Sequence, residues 1–314
     1  MEFRQIDYAV VAMSHYSEPA TIHRASPEQR AAALAMLHLG TTQIQRMLQS
    51  SQNQSFDFGG LYVARRGTKI VGAAWGQQVR GKTAFCWPPC LVSGEPEETA
   101  MHLQKAVDRF LDKSRTIVTQ AVLSASSETE VERLKQAGYR YLTDLAYMVA
   151  AADQFPQQPP ADELSWLPIT ADKMNLFAEL VEQTYRGSLD CAELDGVRNI
   201  DDVLEGYRAT GEYTPAWWLR VRQGDSDVGC LVLADYPEYQ QAELVYLGIV
   251  PAARGRGLGS RLARYAQWLA GNRGRQQLVL AVDSSNWPAR RIYEATGFKL
   301  WDYRSIFVRT LETT

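Results

Sequence analysis

Between Lys173 and Arg186, Leu176, Phe177, Leu180, Val181 and Thr184 recur three and four residues apart. That spacing puts them on one face and predicts a helix. A shorter helix is predicted over Ile200 to Arg208. Apolar runs then predict strands over 217–222, 228–234 and 242–250, the first two joined as a hairpin through Arg222–Asp227. From Leu258 a helix is predicted with Leu258, Leu262, Tyr265, Ala266 and Leu269 on one face, stopped by Gly271 and Gly274. Leu278 to Val282 is continuously apolar, which predicts a strand buried on both faces. Trp287 to Thr296 reads as a helix with Pro288 tolerated in its first turn. A last strand or strand pair covers Phe298 to Arg309. The order α α β β β α β α β gives a mixed α/β fold of α+β type around a mixed sheet.

The pattern breaks once, at Asp153–Asp162, where three prolines and three glutamines fall within ten residues. Such a run continues neither a helix nor a central strand. It divides the chain into 1–152, a linker at 153–162, and 163–314. The halves share a pattern. Ala137-Gly138-Tyr139-Arg140 and Thr296-Gly297-Phe298-Lys299 stand 159 residues apart, each between a helix pattern and a strand pattern. The same offset lays Ala84–Leu91 over Glu243–Val250, and Ser126 and Ser127 over Ser285 and Asn286. Several matches at one offset indicate a duplicated domain.

With 314 residues, each half is long enough to bury its own core. Hydrophobic residues at 46%, charged residues at 22% and a net charge of −3 fit an ordinary globular protein, and argue against a nucleic-acid partner held by phosphate neutralisation. No stretch has the ~20 apolar residues of a membrane span. The N-terminal apolar run, Ala9 to Met13 after Glu2 and Asp7, is too short for a secretory signal. Cys86 and Cys90 flank Trp87-Pro88-Pro89 with no histidine cluster, so no metal site is expected. A cytoplasmic protein with reduced thiols, monomeric or homodimeric, is the expectation.

The segment with chemistry is Glu243-Leu-Val-Tyr-Leu-Gly-Ile-Val-Pro-Ala-Ala-Arg254-Gly-Arg-Gly-Leu-Gly-Ser260. A strand runs into a turn with Gly255, Gly257 and Gly259, and the turn opens a helix. Glycines admit a ligand close to the backbone, and a helix N-terminus offers unpaired N–H groups and positive potential. That combination is a pyrophosphate cradle, with Arg254, Arg256, Arg261 and Arg264 around it. A dinucleotide fingerprint needs Gly or Ala where Ser260 stands, and no Gly-Lys-Ser/Thr is present. Arg-x-x-Gly-x-Gly fits, through Arg254, Gly257 and Gly259. A second segment, Asn286-x-x-Ala289-x-x-x-Tyr293-x-x-x-Gly297-Phe298, follows the Leu278–Val282 strand. Together they resemble the signatures of the GNAT (Gcn5-related) N-acyltransferase superfamily, over roughly Leu164 to Val308, in a tandem arrangement.

The resemblance implies acetyl-CoA as cofactor and transfer of a short acyl group to a primary amine of a small molecule or peptide. It implies that Leu247, Gly248, Ile249 and Val250 pair with the pantetheine arm, with the Ile249 N–H toward the thioester oxygen. Arg254, Gly255, Arg256, Gly257, Leu258, Gly259 and Ser260 would cradle the pyrophosphate, with Asn286, Ala289 and Tyr293 alongside. Tyr293 is implied as the acid that protonates the departing thiolate. Glu243 is the candidate base, on a strand like that carrying the catalytic glutamate of histone-type members. Acids and aromatics from Tyr185 to Trp218, including Asp195, suit a cationic or aromatic amine. Asp190, Glu193 and Trp217 are the candidates there.

At the 159-residue offset the first half has Leu134 for Tyr293, Ala84 for Glu243, and Glu95-Pro-Glu-Glu-Thr-Ala100 for the glycine turn. Pro88-Pro89 is expected to break the pantetheine pairing. A degenerate first domain beside a catalytic second domain is the expectation. A non-catalytic acyl-CoA sensor, and a nucleotide-binding enzyme using the glycine turn differently, stay open from sequence.

Overall fold

A computed structural model describes residues 19–52, 57–124, 128–160, 163–194 and 196–311. The expectations placed on Glu2, Asp7 and Ala9–Met13, on Ser126 and Ser127, on Asp195 and on the linker's end at 161–162 lie outside the described residues. The chain packs as two units, one of residues 1–77 with 86–114, the other of 78–85 with 115–314.

The first unit contains β1 (Thr21–Arg24), α1 (Arg30–Met36), α2 (Thr41–Gln52), β2 (Leu61–Arg66), most of β3 (Lys69–Val79) and β4 (Thr83–Leu91), and α3 (Glu97–Asp112). Its strands run in the order β1-β2-β3-β4. Leu34, Leu61 and Trp75 are fully buried. Trp75 stacks between Phe58 and Trp87, at 5.4 and 6.0 Å between ring centres. Pro88 and Pro89 lie within β4, which continues through them.

The second unit contains β5 (Val118–Leu123), α4 (Glu128–Gln136), β6 (Arg140–Ala151), β7 (Leu164–Pro168), α5 (Met174–Tyr185), α6 (Ile200–Arg208), β8 (Trp218–Gln223), β9 (Ser226–Tyr236), β10 (Gln241–Ile249), α7 (Leu258–Asn272), β11 (Gln277–Asp283), α8 (Trp287–Ala295) and β12 (Lys299–Thr310). Its strand order is β5-β12-β6-β11-β10-β9-β8-β7. Residues 78–85 join it through α6 and the turn before it: Lys82 pairs with Asp202 at 3.0 Å, and Arg198 donates to Thr83 Oγ1 at 2.9 Å.

The expected elements from α5 onward are all present, and two details differ. β7 had no expectation; it is short, and its Trp166 stacks on Tyr265 of α7 at 3.6 Å between ring centres. Gly271 lies inside α7, where a Cβ would come within 3.1 Å of the Phe155 ring, and Gly274 with φ +73° follows the helix end.

The 159-residue offset recurs in the backbone. It carries both ends of α4 onto those of α8 and both ends of β6 onto those of β12. The two closing strands have changed places. β6 lies between β12 and β11, pairing with β11 from Leu145 to Ala151, and β12 lies between β5 and β6. The repeating halves and the packing units are therefore different partitions of the chain.

Candidate active site

β10 and β11 are parallel neighbours for only three residue pairs, Gln241–Glu243 against Gln277–Val279. Beyond them the strands part, because β11 stays paired with β6 while β10 follows β9. A bulge at Val245 sits where the parting begins. A bulge bends and twists its strand. The parting also leaves one face of β11 open. Ala281 is exposed there, although the apolar run had suggested burial on both faces.

The bonding alternation of β10 decides which groups face this gap. Val250 N–H donates to Val228 at 3.1 Å. Ile249 and Gly229 are thus opposite each other without exchanging bonds, so the N–H and C=O of Ile249 point away from β9. The same holds two residues back, for Leu247. Val250 is different: its N–H is engaged by β9. Gly248 has its Cα hard against α5, and a Cβ there would lie 2.4 Å from Thr184 Oγ1.

The turn after β10 is built for positive φ. Gly255 and Gly257 have φ of +75° and +74°, with open space where a side chain would be. Gly257 starts α7, and no side chain caps that helix. Its first N–H groups and its dipole therefore face outward, suited to an anion. Gly259 serves close packing instead, since a Cβ would meet Ile292 Cδ1 at 2.7 Å. Leu258 is buried, so only its backbone can meet a ligand. Arg254 binds protein carbonyls: Ile249 through Nε at 3.1 Å, Gly187 at 2.9 Å and Thr184 at 2.8 Å. Arg256 likewise donates to Ala252 at 2.8 Å. Neither guanidinium points freely at a phosphate, and Arg254 ties the turn to the end of α5.

Across the gap, Asn286 caps α8 by accepting from Ala289 N–H at 3.3 Å. Tyr293, buried, packs its ring on Phe298 at 5.5 Å. Burial first, and the Asp190 carboxylate second, raise its phenol above the ordinary range. The gap is a cavity of about 270 Å³ with Leu247, Gly248 and Ile249 on one wall and Asn286, Ala289 and Tyr293 on the other.

Residues 179–298 match the acetyltransferase (GNAT) family. The chain carries a GNAT domain. A mycothiol acetyltransferase of Salinispora tropica is 30% identical over 152 residues, 46% of this chain and 43% of that protein. The chain spans less than half the length of this and the other curated mycothiol acetyltransferases it matches. Two solved structures share the fold over nearly the whole chain. A GCN5-related N-acetyltransferase from Sphaerobacter thermophilus has a TM-score of 0.64 at 15% identity, covering 94% of this chain and 96% of that one. A tandem GNAT protein from the clavulanic acid biosynthesis pathway has 0.56 at 14%, covering 94% and 99%. Residues 179–298 thus carry the GNAT family match, and the whole chain shares its fold with solved GNAT structures, one of them a tandem protein.

In the GNAT domain, Glu243 does not line the gap. Ala242 and Leu244 pack into the core that includes Ala263 and Ala266 of α7, so Glu243 faces the other side of the sheet. Its Oε2 accepts from Tyr236 Oη at 3.0 Å. Burial raises its pKa, and that hydrogen bond acts the other way. Trp217 belongs to the core with Leu231 and Leu233; its burial removes it from substrate contact. Glu193 is paired with Arg140 and does not line the gap. Asp190 does line the gap. Its Oδ1 accepts from the Asp283 N–H at 3.1 Å, while Asp283 Oδ2 accepts from the Cys191 N–H at 3.3 Å. This reciprocal clasp holds the α5–α6 loop on the end of β11. Sequence reasoning missed Thr184, Tyr236, Tyr246 and Asp283. Thr184, Tyr246 and Asp283 act through partners more than 60 residues away, and Tyr236 meets Glu243 only across the β9–β10 pairing, so no local spacing reveals them.

The first half lacks these groups at the matching positions. Leu134 is fully buried, as is Ala84. Glu95 is bound to Arg66 at 2.9 Å and to Thr99 at 2.6 Å. Burial opposes its ionisation, but Arg66 and Thr99 outweigh it and hold the carboxyl below its usual range.

Proposed function

We propose that the protein is an acetyl-CoA-dependent N-acetyltransferase whose active site lies in the C-terminal half, with a primary amine as acceptor. The observation that carries this is the parted pair β10 and β11 leading directly into an uncapped helix N-terminus. The residues present fit acetyl-CoA. The outward N–H groups of Leu247 and Ile249 suit an amide-bearing arm, and the Gly255–Gly257 turn suits a pyrophosphate. When bound, acetyl-CoA supplies a thioester carbonyl to the amine: the C–N bond forms, the C–S bond breaks, and CoA leaves as the thiol.

The chain's own residues manage the charges. The Ile249 N–H stabilises negative charge developing on the carbonyl oxygen. Tyr293, kept protonated by burial, donates its proton to the sulfur and recovers one from solvent. Glu243 accepts the proton lost by the amine, through water, because it stands back from the gap. Its raised pKa makes it a better acceptor than an ordinary carboxylate. The mycothiol acetyltransferase relatives favour a small-molecule acceptor. The first half, with Glu95 neutralised by Arg66 in place of a glycine turn, serves as scaffold.

Calorimetric titration with acetyl-CoA, CoA and NAD tests this reading. One CoA site per chain is expected, with loss of binding in Gly257→Glu, which strains a +74° backbone and sets an acid at the helix end. Two sites per chain would overturn the one-active-half reading. Preference for NAD, or no CoA binding, would overturn the acetyltransferase reading.

A further inference from the structure

A second cavity of about 610 Å³ opens between α5, α6, the loop joining them and β10. It shares Gly187, Ser188, Asp190, Val245 and Tyr246 with the gap. The β10 bulge puts both Val245 and Tyr246 on this side, where they pack with α5 and α6. Of the five shared residues, Asp190 alone carries a carboxylate. It is the acidic group at the junction of the two spaces, and burial raises its pKa, opposed by the Asp283 N–H and reinforced by the Asp283 carboxylate, so a bound cation would favour its ionised form.

Among the described residues, no arginine, lysine or histidine acts on the Asp190 carboxylate. Asp283 lies beside it, with its own carboxylate accepting from Cys191 N–H, Thr143 Oγ1, Ser285 N–H and Ser285 Oγ. The other titratable groups facing Asp190 are Tyr185 of α5, Tyr246 of β10, Tyr293 of α8 and the Cys191 thiol. Burial raises the pKa of all four, the Tyr185 phenol and the Cys191 thiol to about 12, so they are neutral at physiological pH. Two arginines that line these cavities are engaged elsewhere: Arg254 by three carbonyls, and Arg198 by Thr83 at 2.9 Å. Glu182 and Arg186, one acidic and one basic, also line the second cavity. Tyr207 and Tyr246 stack at 5.7 Å along its wall, and Tyr185 meets Tyr246 edge-on at 5.4 Å. A carboxylate without a counter-ion, beside tyrosine rings, favours a cationic ligand.

We infer that Asp190 captures the acceptor as a primary ammonium ion at the junction of the two cavities, with the rest of the acceptor against the tyrosine wall. This rests on the reading that the gap holds the acetyl thioester, since capture at Asp190 then brings the nitrogen to the reacting carbon, where it attacks after releasing one proton to solvent; the second proton, lost on forming the C–N bond, is the one Glu243 accepts. Asp190 selects cationic amines over neutral molecules of the same shape.

The test needs no knowledge of the natural acceptor. n-Hexylammonium and 1-hexanol are titrated calorimetrically into wild-type protein and into Asp190→Asn, each with and without CoA. Asn keeps the oxygen that accepts from Asp283 N–H. Expected is hexylammonium binding roughly tenfold or more tighter than hexanol in wild type, with that preference lost in Asp190→Asn and CoA affinity unchanged. Equal binding of the two probes in wild type would overturn the inference even if the variant fails to fold. So would an undiminished preference in a folded Asp190→Asn. Failure of CoA to bind would overturn the acetyltransferase reading instead, while the charge preference measured without CoA still decides the role of Asp190.

Discussion

Gly248→Ala separates a steric role from a conformational one at the candidate site. The new Cβ would lie 2.4 Å from Thr184 Oγ1, 2.7 Å from Thr184 Cβ and 2.8 Å from a Tyr246 ring carbon, where ordinary contact begins at 3.4 Å. Relief requires α5 to move out by about 1 Å, the gap between those contacts. Thr184 cannot simply rotate, because its hydroxyl is 2.7 Å from Val181 O and 2.7 Å from Tyr246 Oη. Its carbonyl also accepts from Arg254 at 2.8 Å, a bond that a shift of that size breaks. Overpacking costs about 1–3 kcal/mol, and each lost hydrogen bond about 0.5–1.5. The total of about 2–4 kcal/mol lowers the melting temperature by about 5–15 °C at about 2–4 °C per kcal/mol. Acetyl-CoA affinity falls as well, since Arg254 no longer fixes the glycine turn. Gly257→Ala is the comparison: φ is +74° but nothing lies within 4 Å, so it loses only about 1–2 kcal/mol of left-handed strain. Calorimetry with and without acetyl-CoA reads both variants. If Gly248→Ala melts no lower than Gly257→Ala and binds acetyl-CoA like wild type, the steric argument is wrong.

Tyr293→Phe keeps the ring against Phe298 and removes the proton, so kcat is expected to fall by about 10²-fold with melting temperature and acetyl-CoA affinity unchanged; an unchanged kcat would show that another group protonates the thiolate. For Glu243, burial opposes the ionised form, so the folded protein holds a proton at pH values where the unfolded chain has lost it. Stability therefore falls as pH rises from about 4.3, the ordinary value, to the raised folded value, and is level above it. Glu243→Gln should match wild type in melting at pH 4 and exceed it at pH 8, while the low-pH limb of kcat/KM disappears; identical melting at both pH values would refute the burial argument.

Much of this was legible in the sequence because the relevant signals are local. Helix faces, the Gly224 hairpin and the Gly255–Gly259 turn each follow from spacing within a few residues, and the structure has α7 beginning at Leu258 as the glycines require. Gly248 was singled out as part of the strand implied to pair with the pantetheine arm; that a side chain there would strike Thr184 was not legible, since Thr184 is 64 residues away in sequence. The exposure of Ala281 was hidden for a similar reason: its apolar neighbours record β6 on one edge, and nothing local tells that β10 has turned away on the other. Trp217 and Glu193 looked like substrate contacts by residue type alone. Their partners, a core and Arg140, are set by the sheet.

The exchange of β6 and β12 has a consequence for how this chain can be divided. Cleaved at the proline-rich linker, the upstream fragment would carry β5 without β12 beside it, and β6 with neither of its neighbours. The downstream fragment would carry β11 and β12 with matching open edges. Unpaired edges of that kind seek partners. Two such pieces would behave as complementing fragments of a single protein, and a cut between the repeating halves would not release two freestanding domains.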